Sequence, residues 1–549
     1  MTGGDDDVEY DWIVVGSGFG GSVAALRLAE QGHRVLVLEC GRRFADHEHA
    51  RSTWDLRRYF WAPSLGLRGI MRLSLFRDVF IATGAGVGGG SLGYANTLYR
   101  PNDEAFYEAE QWAGLADWKS ELAPHYDTAE HMLGVAEYGP PGVTDELIRT
   151  LGRDLGVEHT FRMTRVGVFL GEPGVEVDDP YFGGEGPRRS GCQRCGACMI
   201  GCRHNAKNTL VKNYLWFAER AGATIVPERE VTHLRPLDER GKPDVDATGE
   251  HGWQVETEHP GAWLRRRRRT YRARRGVVVA AGALGSTRLL LRQRAQGTLP
   301  RLSDRLGHLV RTNSESILAV TAPGDGHDFS QTVAISSSIY PDPHTHVEPV
   351  TYGAGGGAIG LLSTLMVGGG TRVTRPLKFL GQCLRHPIRL AKVTWPHRWS
   401  RRSFLVLVMQ SHENAIRLVA RRRWLRRGIS LRTKQDAGHP NPTFLPIANE
   451  SAMRLAKMVN GIPQSSLTEA LFNVPTTAHL LGGCTIGRDR DSAVVDASHR
   501  VFGYDRLLVV DGSTMPANVG VNPSLTITAM AERAMQLVAE SERSDDPVS

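Results

Sequence analysis

The sequence predicts an α/β protein of more than one domain that opens on a Rossmann-type dinucleotide-binding unit. Residues Tyr10–Glu39 read as strand, glycine-rich turn, helix and second strand. A later apolar run, Gly276–Leu291, ends in small residues and reads as a buried parallel strand turning into a helix. From Val501 onward a strand, a loop and a closing helix follow. At 549 residues the polypeptide is too long for one simple core.

In the opening unit, the apolar run Trp12–Val15 stops at Gly16, and Gly16, Gly18 and Gly21 give the G-x-G-x-x-G spacing. The first glycine permits a tight turn and the second lets a pyrophosphate approach the backbone. The third lets helix and strand pack closely, with the phosphates at the helix N-terminus, where amides and dipole favour anions. Val23, Leu26 and Leu28 supply a helical apolar face, and the strand Val35–Leu38 ends on Glu39, 18 residues beyond Gly21. A carboxylate there accepts hydrogen bonds from ribose hydroxyls and repels a 2′-phosphate. The unit by itself leaves NAD and FAD both open.

Composition narrows the class. Hydrophobic content of 41% and charged content of 23% are those of a soluble globular protein. The net charge of +7 is mild but uneven, with arginine concentrated in three segments. Seven cysteines, four of them between Cys192 and Cys202, do not resemble a disulfide framework and point to a reducing, cytoplasmic compartment. The acidic start, MTGGDDDVEYD, does not read as a signal peptide. Pro349–Thr371 carries no charge and is long enough to span a bilayer, but its eight glycines disfavour a helix, so it reads as strands and turns of a buried sheet.

In chain order, Arg57–Phe80 alternates apolar residues with arginine, and Gly84–Pro101 is a second glycine-rich loop. Acidic helix-like sequence runs to about Tyr138, a helical pattern covers Asn208–Ala221, and strands are expected at Thr224–Val226 and Val231–Leu234. Arg265–Arg269, with Arg272, Arg274 and Arg275, leads into the Gly276 strand and reads as a solvated hairpin. No motif accompanies that charge to indicate nucleic acid. The closing SERSDDPVS reads as a disordered tail. Cys192, Cys195, Cys198 and Cys202 have C-x2-C-x2-C-x3-C spacing, which suits an iron–sulfur cluster of the four-iron–four-sulfur kind; structural zinc and free thiols stay open beside it.

Five separated segments resemble the glucose–methanol–choline (GMC) family of FAD oxidoreductases, and most closely its bacterial cholesterol oxidase branch. They are the N-terminal glycine unit with Glu39, GVGGGSL at 86–92, GALGSTRLLL at 282–291, AHLLGGC at 478–484 and VVDGSTMPANVGVNPSLTITAMAER at 509–533. The resemblance implies FAD as the dinucleotide. It also implies a discontinuous FAD-binding domain over 1–45, 214–306 and 485–549, and a substrate-binding domain over 46–213 and 307–484 built on a mixed, six-stranded β-sheet. The implied FAD contacts are Gly16, Gly18, Gly21, Glu39, Gly88, Gly89, Gly90, Ser91, Asn96, Val231, Asp511, Gly512 and Asn522.

The resemblance also implies that His479 and Asn522 face the flavin ring, where His479 takes or relays a hydroxyl proton as hydride leaves the carbon. A satisfied core histidine, next to Leu480 and Leu481, is the plain alternative. The branch carries a buried glutamate that moves a double bond after oxidation, and Glu348 in HTHVEPVTYG is the local match; a solvated loop residue is the alternative there. Two departures weigh against direct reaction with oxygen. Ser524 stands where the branch has an aromatic gate after Asn-Pro. Gly93 and Tyr94 stand where an Asn is usual, with Asn96 two residues on. The expected acceptor is then a carrier protein or quinone.

The segments Arg57–Arg77 and Arg372–Arg402, the second with nine Lys/Arg and no acid, suit docking on an anionic membrane face; a solvated basic surface is the alternative. The expected activity is oxidation of a secondary hydroxyl on a steroid-like lipid to the ketone. Its rivals are a redox-neutral ketosteroid Δ5→Δ4 isomerase using Glu348, a GMC dehydrogenase for another alcohol, and a non-enzymatic lipid-binding protein.

Overall fold

The computed structural model describes residues 9–262, 267–324, 326–422 and 429–545, and is built on two seven-stranded sheets. In the first sheet, β1 (Glu9–Val15) lies between β2 (Val35–Leu38) and the long strand Arg269–Val279, all parallel. Thr224–Val226 extends the sheet beyond β2, and Leu507–Val509 pairs in parallel with Val277–Val279. The other half of the long strand, Arg269–Ala273, pairs antiparallel with Trp253–Glu258, which leads on to Glu230–Pro236. One strand thus belongs to both a parallel and an antiparallel arrangement. The parallel strands are buried on both faces, which is why Trp12–Val15, Val35–Leu38 and Val277–Val279 are continuous apolar runs.

Helix α1 (Phe19–Glu30) returns the chain from β1 to β2. The closing helix Ser524–Asp545 packs on it, and Arg27 fixes the pair through Glu532 at 2.7 Å. The helix reaches Asp545, so the first part of the expected disordered tail is helical. The strand expected at Val231–Leu234 runs over Glu230–Pro236, and the hairpin leading into the Gly276 strand is present. Of its arginines, Arg267–Arg269 are exposed, while Arg265 and Arg266 lie outside the described residues.

The second sheet runs in the order Ser363–Leu365, Ile462–Ser466, Ser316–Thr321, Ser403–Gln410, Thr345–Val350, Ser337–Asp342 and the two-residue strand Arg162–Met163. Every pairing is antiparallel, so the mixed character belongs to the first sheet. Ser403–Gln410 is buried along its whole length, and period-2 alternation sorts it. Phe404, Val406 and Val408 pack beneath the helix Pro446–Met458, whereas Leu405, Leu407 and Met409 belong to a second apolar cluster with Ile335, Val350 and Tyr352. The glycine-rich stretch expected as sheet and turns is in part a 3-10 helix, Gly357–Leu362, before the short strand Ser363–Leu365.

Candidate active site

The carboxyl ends of the parallel strands meet along one edge and border a crevice of about 460 Å³. Gly16, Gly18, Glu39, Ala280–Gly282, Asp511 and Gly512 all line it from those ends. This is where open parallel sheets bind ligands. Gly16 turns with φ +102°, and a Cβ there would lie 2.4 Å from the Ala280 carbonyl. Gly18 meets nothing within 4 Å and faces open space, and α1 starts on it with no acid in its first turn and no side-chain cap. Those amides are therefore available to an anion. Gly20 was missed by the motif: a Cβ there would come 1.8 Å from the Val510 carbonyl.

Glu39 ends β2 as expected, buried on the crevice wall. Its Oε2 accepts from the Ser17 amide (3.1 Å) and hydroxyl (2.7 Å), and its Oε1 accepts from Gly41 N–H at 2.8 Å. The second glycine-rich loop is drawn in with it, since Ser17 Oγ accepts from Gly88 N–H at 3.1 Å and Gly89 packs against Gly18. Gly89, Gly90 and Val231 line the crevice. Ser91 instead braces the loop, donating to the Gly88 carbonyl at 2.6 Å, and Asn96 is buried beside the Cys198 thiol. Asp511 closes the far side, accepting from Gly282 N–H (2.9 Å) and Ser286 Oγ (2.5 Å), and burial raises its carboxyl. Arg72, Arg229, Arg288 and Arg292 also line the crevice, a cationic set that sequence reasoning did not assign to it. The open glycine cradle at a helix N-terminus fits the diphosphate of FAD and the acid at the end of β2 its ribose, with four arginines along the same crevice.

The other half of the crevice is apolar. Ile317, Val350, Leu405 and Leu407 face it from the antiparallel sheet, with Phe60, Tyr352 and Ile359 alongside. Two of the expected side chains line the crevice, and the third bonds to one of them. His479 and Asn522 both line the crevice. Glu348 stands on the same face of its strand as Val350, opposite Leu407, fully buried rather than in a solvated loop. Asn522 Nδ2 donates to Glu348 Oε2 at 3.3 Å. Burial pushes the Glu348 carboxyl up to about 8, the Asn522 hydrogen bond opposes this, and the Glu315 charge adds to it. His479 lines the crevice and its Nδ1 meets Glu315 Oε1, which leaves Nε2 as the ring nitrogen free of that carboxylate. Glu315 had no signal in the sequence: an acid just ahead of an apolar strand reads as a surface residue. Ser524 lines the crevice, and so does Tyr94, whose hydroxyl donates to the Asn208 carbonyl at 3.0 Å.

The expectation of an iron–sulfur or zinc site at the four cysteines finds no support in the geometry. Among the described residues no three His, Cys, Asp or Glu side chains gather to hold a metal ion, and Cys192, Cys195, Cys198 and Cys202 are free thiols. Cys192, Cys198 and Cys202 pack with Tyr138, Val166 and Val168 as small apolar residues, and burial pushes the Cys192 thiol up to about 12. Two members of the basic segment are also turned inward: Arg375 is buried against Glu469 at 2.9 Å, and Trp399 is buried under Gly360. Among the described residues no helix is long and apolar enough to cross a membrane.

Comparison with known proteins agrees with this geometry. Residues 11–372 match the family described as FAD dependent oxidoreductase, and residues 411–531 match the family described as GMC oxidoreductase. A cholesterol oxidase of Mycobacterium tuberculosis (strain H37Rv) is 48% identical over 541 residues, covering 96% of this chain and 91% of the relative. A cholesterol oxidase of Acinetobacter baumannii is 44% identical, covering 97% and 95%. Among solved structures, pyridoxine 4-oxidase from Mesorbium loti superposes with a TM-score of 0.60 at 17% identity, over 96% of this chain and 99% of that one; this likeness concerns the fold alone.

Proposed function

The chain belongs to the GMC family of FAD-dependent oxidoreductases acting on CH–OH donors, and from that premise we propose that it oxidises the secondary hydroxyl of a sterol-like lipid to the ketone. The observation that carries the reading is the junction itself. His479 and Asn522 line the same crevice as the glycine turns of the first sheet and the apolar side chains of the second. The two cholesterol oxidases point to the same substrate class.

Bound FAD supplies the hydride acceptor. The chain's own residues do the rest. The apolar wall of Ile317, Val350, Leu405 and Leu407 binds the ring system and excludes water. His479 takes the hydroxyl proton at Nε2, while Asn522 donates to the reacting oxygen or to Glu348. We assign residues 1–45, 214–306 and 485–549 to the cofactor-holding part and 46–213 with 307–484 to the substrate part; every strand of the first sheet falls in the one and every strand of the second in the other. The test is anaerobic flavin bleaching by a panel of sterols, sugars and simple alcohols. Bleaching by sterols alone supports the reading, and bleaching by a sugar or short alcohol overturns it.

Glu348 favours a second activity at the same site. A carboxyl on the strand face that carries Val350, raised to about 8, has the chemistry to carry a proton between ring carbons and move a Δ5 double bond to Δ4. Anaerobic feeding of a 3-keto-Δ5 steroid isolates that step.

The proposed site also has an apolar approach. The helices Thr374–Arg385 and Pro387–Thr394 expose Leu377, Leu380, Leu384 and Ile388, with Trp395 after them. The second helix packs on residues 357–365, of which Ile359, Leu362 and Ser363 line the crevice. Lys378, Arg385, Arg389 and Lys392 are exposed around this apolar stripe and make no ion pair among the described residues. We read the pair as a docking face for an anionic lipid surface.

A further inference from the structure

Behind His479 lies a segment that the proposed chemistry does not yet use. Arg311–Glu315 runs between the two loops that carry His479 and Asn522, and binds both. Arg311 and Leu481 exchange both backbone hydrogen bonds, at 2.8 and 3.0 Å, and Arg311 Nε donates to the Pro516 carbonyl at 2.7 Å. Asn313 Nδ2 donates to the Val521 carbonyl at 2.9 Å, and its Oδ1 accepts from Gly520 N–H at 2.8 Å. Asn313 and Ser314 both take positive φ, +57° and +45°, a region Asn visits readily but Ser adopts only when its surroundings impose it. The segment ends on Glu315, whose side chain is wholly buried. Glu315 Oε2 accepts from Ala478 N–H at 2.6 Å, and Oε1 meets His479 Nδ1. Thr477 Oγ1, which donates to the Thr312 carbonyl at 3.0 Å, accepts from His479 N–H at 3.0 Å.

We propose that Glu315 is the positioning residue of His479. A buried acceptor on Nδ1 requires the proton there, so the other nitrogen, Nε2, carries the lone pair. When the substrate hydroxyl gives its proton to Nε2, the imidazolium that forms lies against a carboxylate held in place by the strained segment. The proton would come from the O–H bond and the hydride from the carbon that bears that oxygen, so that the carbonyl forms there; bound FAD would be the hydride acceptor. Glu315 touches neither substrate nor cofactor; it acts through the ring.

This inference rests on the proposed role of His479, and the experiment keeps the two apart. The ring nitrogens of His479 are read by nitrogen NMR on the holoenzyme labelled at histidine, with His479→Ala for assignment. In parallel, flavin reduction and sterol affinity are measured for Glu315→Gln and Glu315→Asp. The expected wild-type signature is a single Nδ1–H tautomer, lost in Glu315→Gln. Reduction slows by about 10–100-fold in Glu315→Gln and partly recovers in Glu315→Asp, with sterol affinity and FAD content unchanged. An Nε2–H tautomer in the wild type overturns the proposal even if neither variant folds, and so does a Glu315→Gln enzyme that reduces at the wild-type rate. If His479→Ala reduces its flavin normally, the chemical role of His479 falls, while the tautomer still decides whether Glu315 orients the ring.

Discussion

The two sheets present themselves to the crevice by different means. The parallel sheet offers its main chain: strand ends, glycine turns and a helix N-terminus, with room made by side chains that are missing at Gly16 and Gly18. The antiparallel sheet offers side chains, every second residue of each strand, so that Val350, Leu405 and Leu407 make a wall, with Glu348 buried on the strand face that carries Val350. A backbone site binds the group that every GMC enzyme shares. A side-chain site can change its substrate by exchanging one residue without altering the sheet. The two residues proposed to act on the hydroxyl belong to neither sheet: His479 lies on the chain between Ile462–Ser466 of the second sheet and Leu507–Val509 of the first, and Asn522 just ahead of the closing helix.

The largest effect comes from breaking the backbone site in two different ways. Gly20→Val drives a side chain into the Val510 carbonyl and is expected to cost more than about 4 kcal/mol, read by denaturant unfolding. Gly18→Val has open space and is expected to keep the fold but lose FAD. Equal loss of stability in both would mean that Gly18 is structural rather than ligand-facing.

At the junction, His479→Ala is expected to retain FAD and to slow flavin reduction by a factor of about 10²–10⁴. Unchanged reduction removes it from the chemistry.

In the side-chain site, pH is the lever. The Glu348 carboxyl is raised from 4.5 to about 8, so the folded protein holds a proton that the unfolded chain has released between those values. Its stabilising share is full below 4.5 and is lost as pH rises through about 8. Glu348→Gln should flatten that part of the Tm profile while leaving sterol oxidation in place and abolishing Δ5→Δ4 isomerisation. A Tm profile identical to wild type would show that Glu348 is not the titrating group.

Legibility followed the same division. Tyr10–Glu39 was readable because its parts lie in order along one stretch and each glycine answers to a local demand. Even there Gly20 escaped, since its constraint comes from Val510, far along the chain. The burial of Glu348 depends on its register against Leu407, and Glu315 on a bracket between two distant loops; neither arrangement leaves a local pattern. The four cysteines are the opposite case, a spacing that reads as a metal site on a segment that packs them into small apolar surroundings. Arg375 carries the same sequence signal as the other cations of Arg372–Arg402, and only its buried partner Glu469 sets it apart.

The smallest expected effect is at the surface. Changing Arg385, Arg389 and Lys392 to Ser should weaken binding to anionic vesicles at low salt by up to about 1 kcal/mol per residue, without altering turnover of detergent-dispersed sterol. Equal binding of variant and wild type would leave the helices 374–394 a solvated face.

The measurement closest to the central claim is anaerobic mixing of the FAD enzyme with a 3β-hydroxysterol, unlabelled or carrying deuterium at C3, while the flavin absorbance is followed. Oxidation at the junction of the two sheets predicts bleaching to the reduced flavin, slowed by the deuterium, with the 3-ketone recovered in equal amount. A flavin that stays oxidised, or bleaches without any 3-ketone, would contradict it.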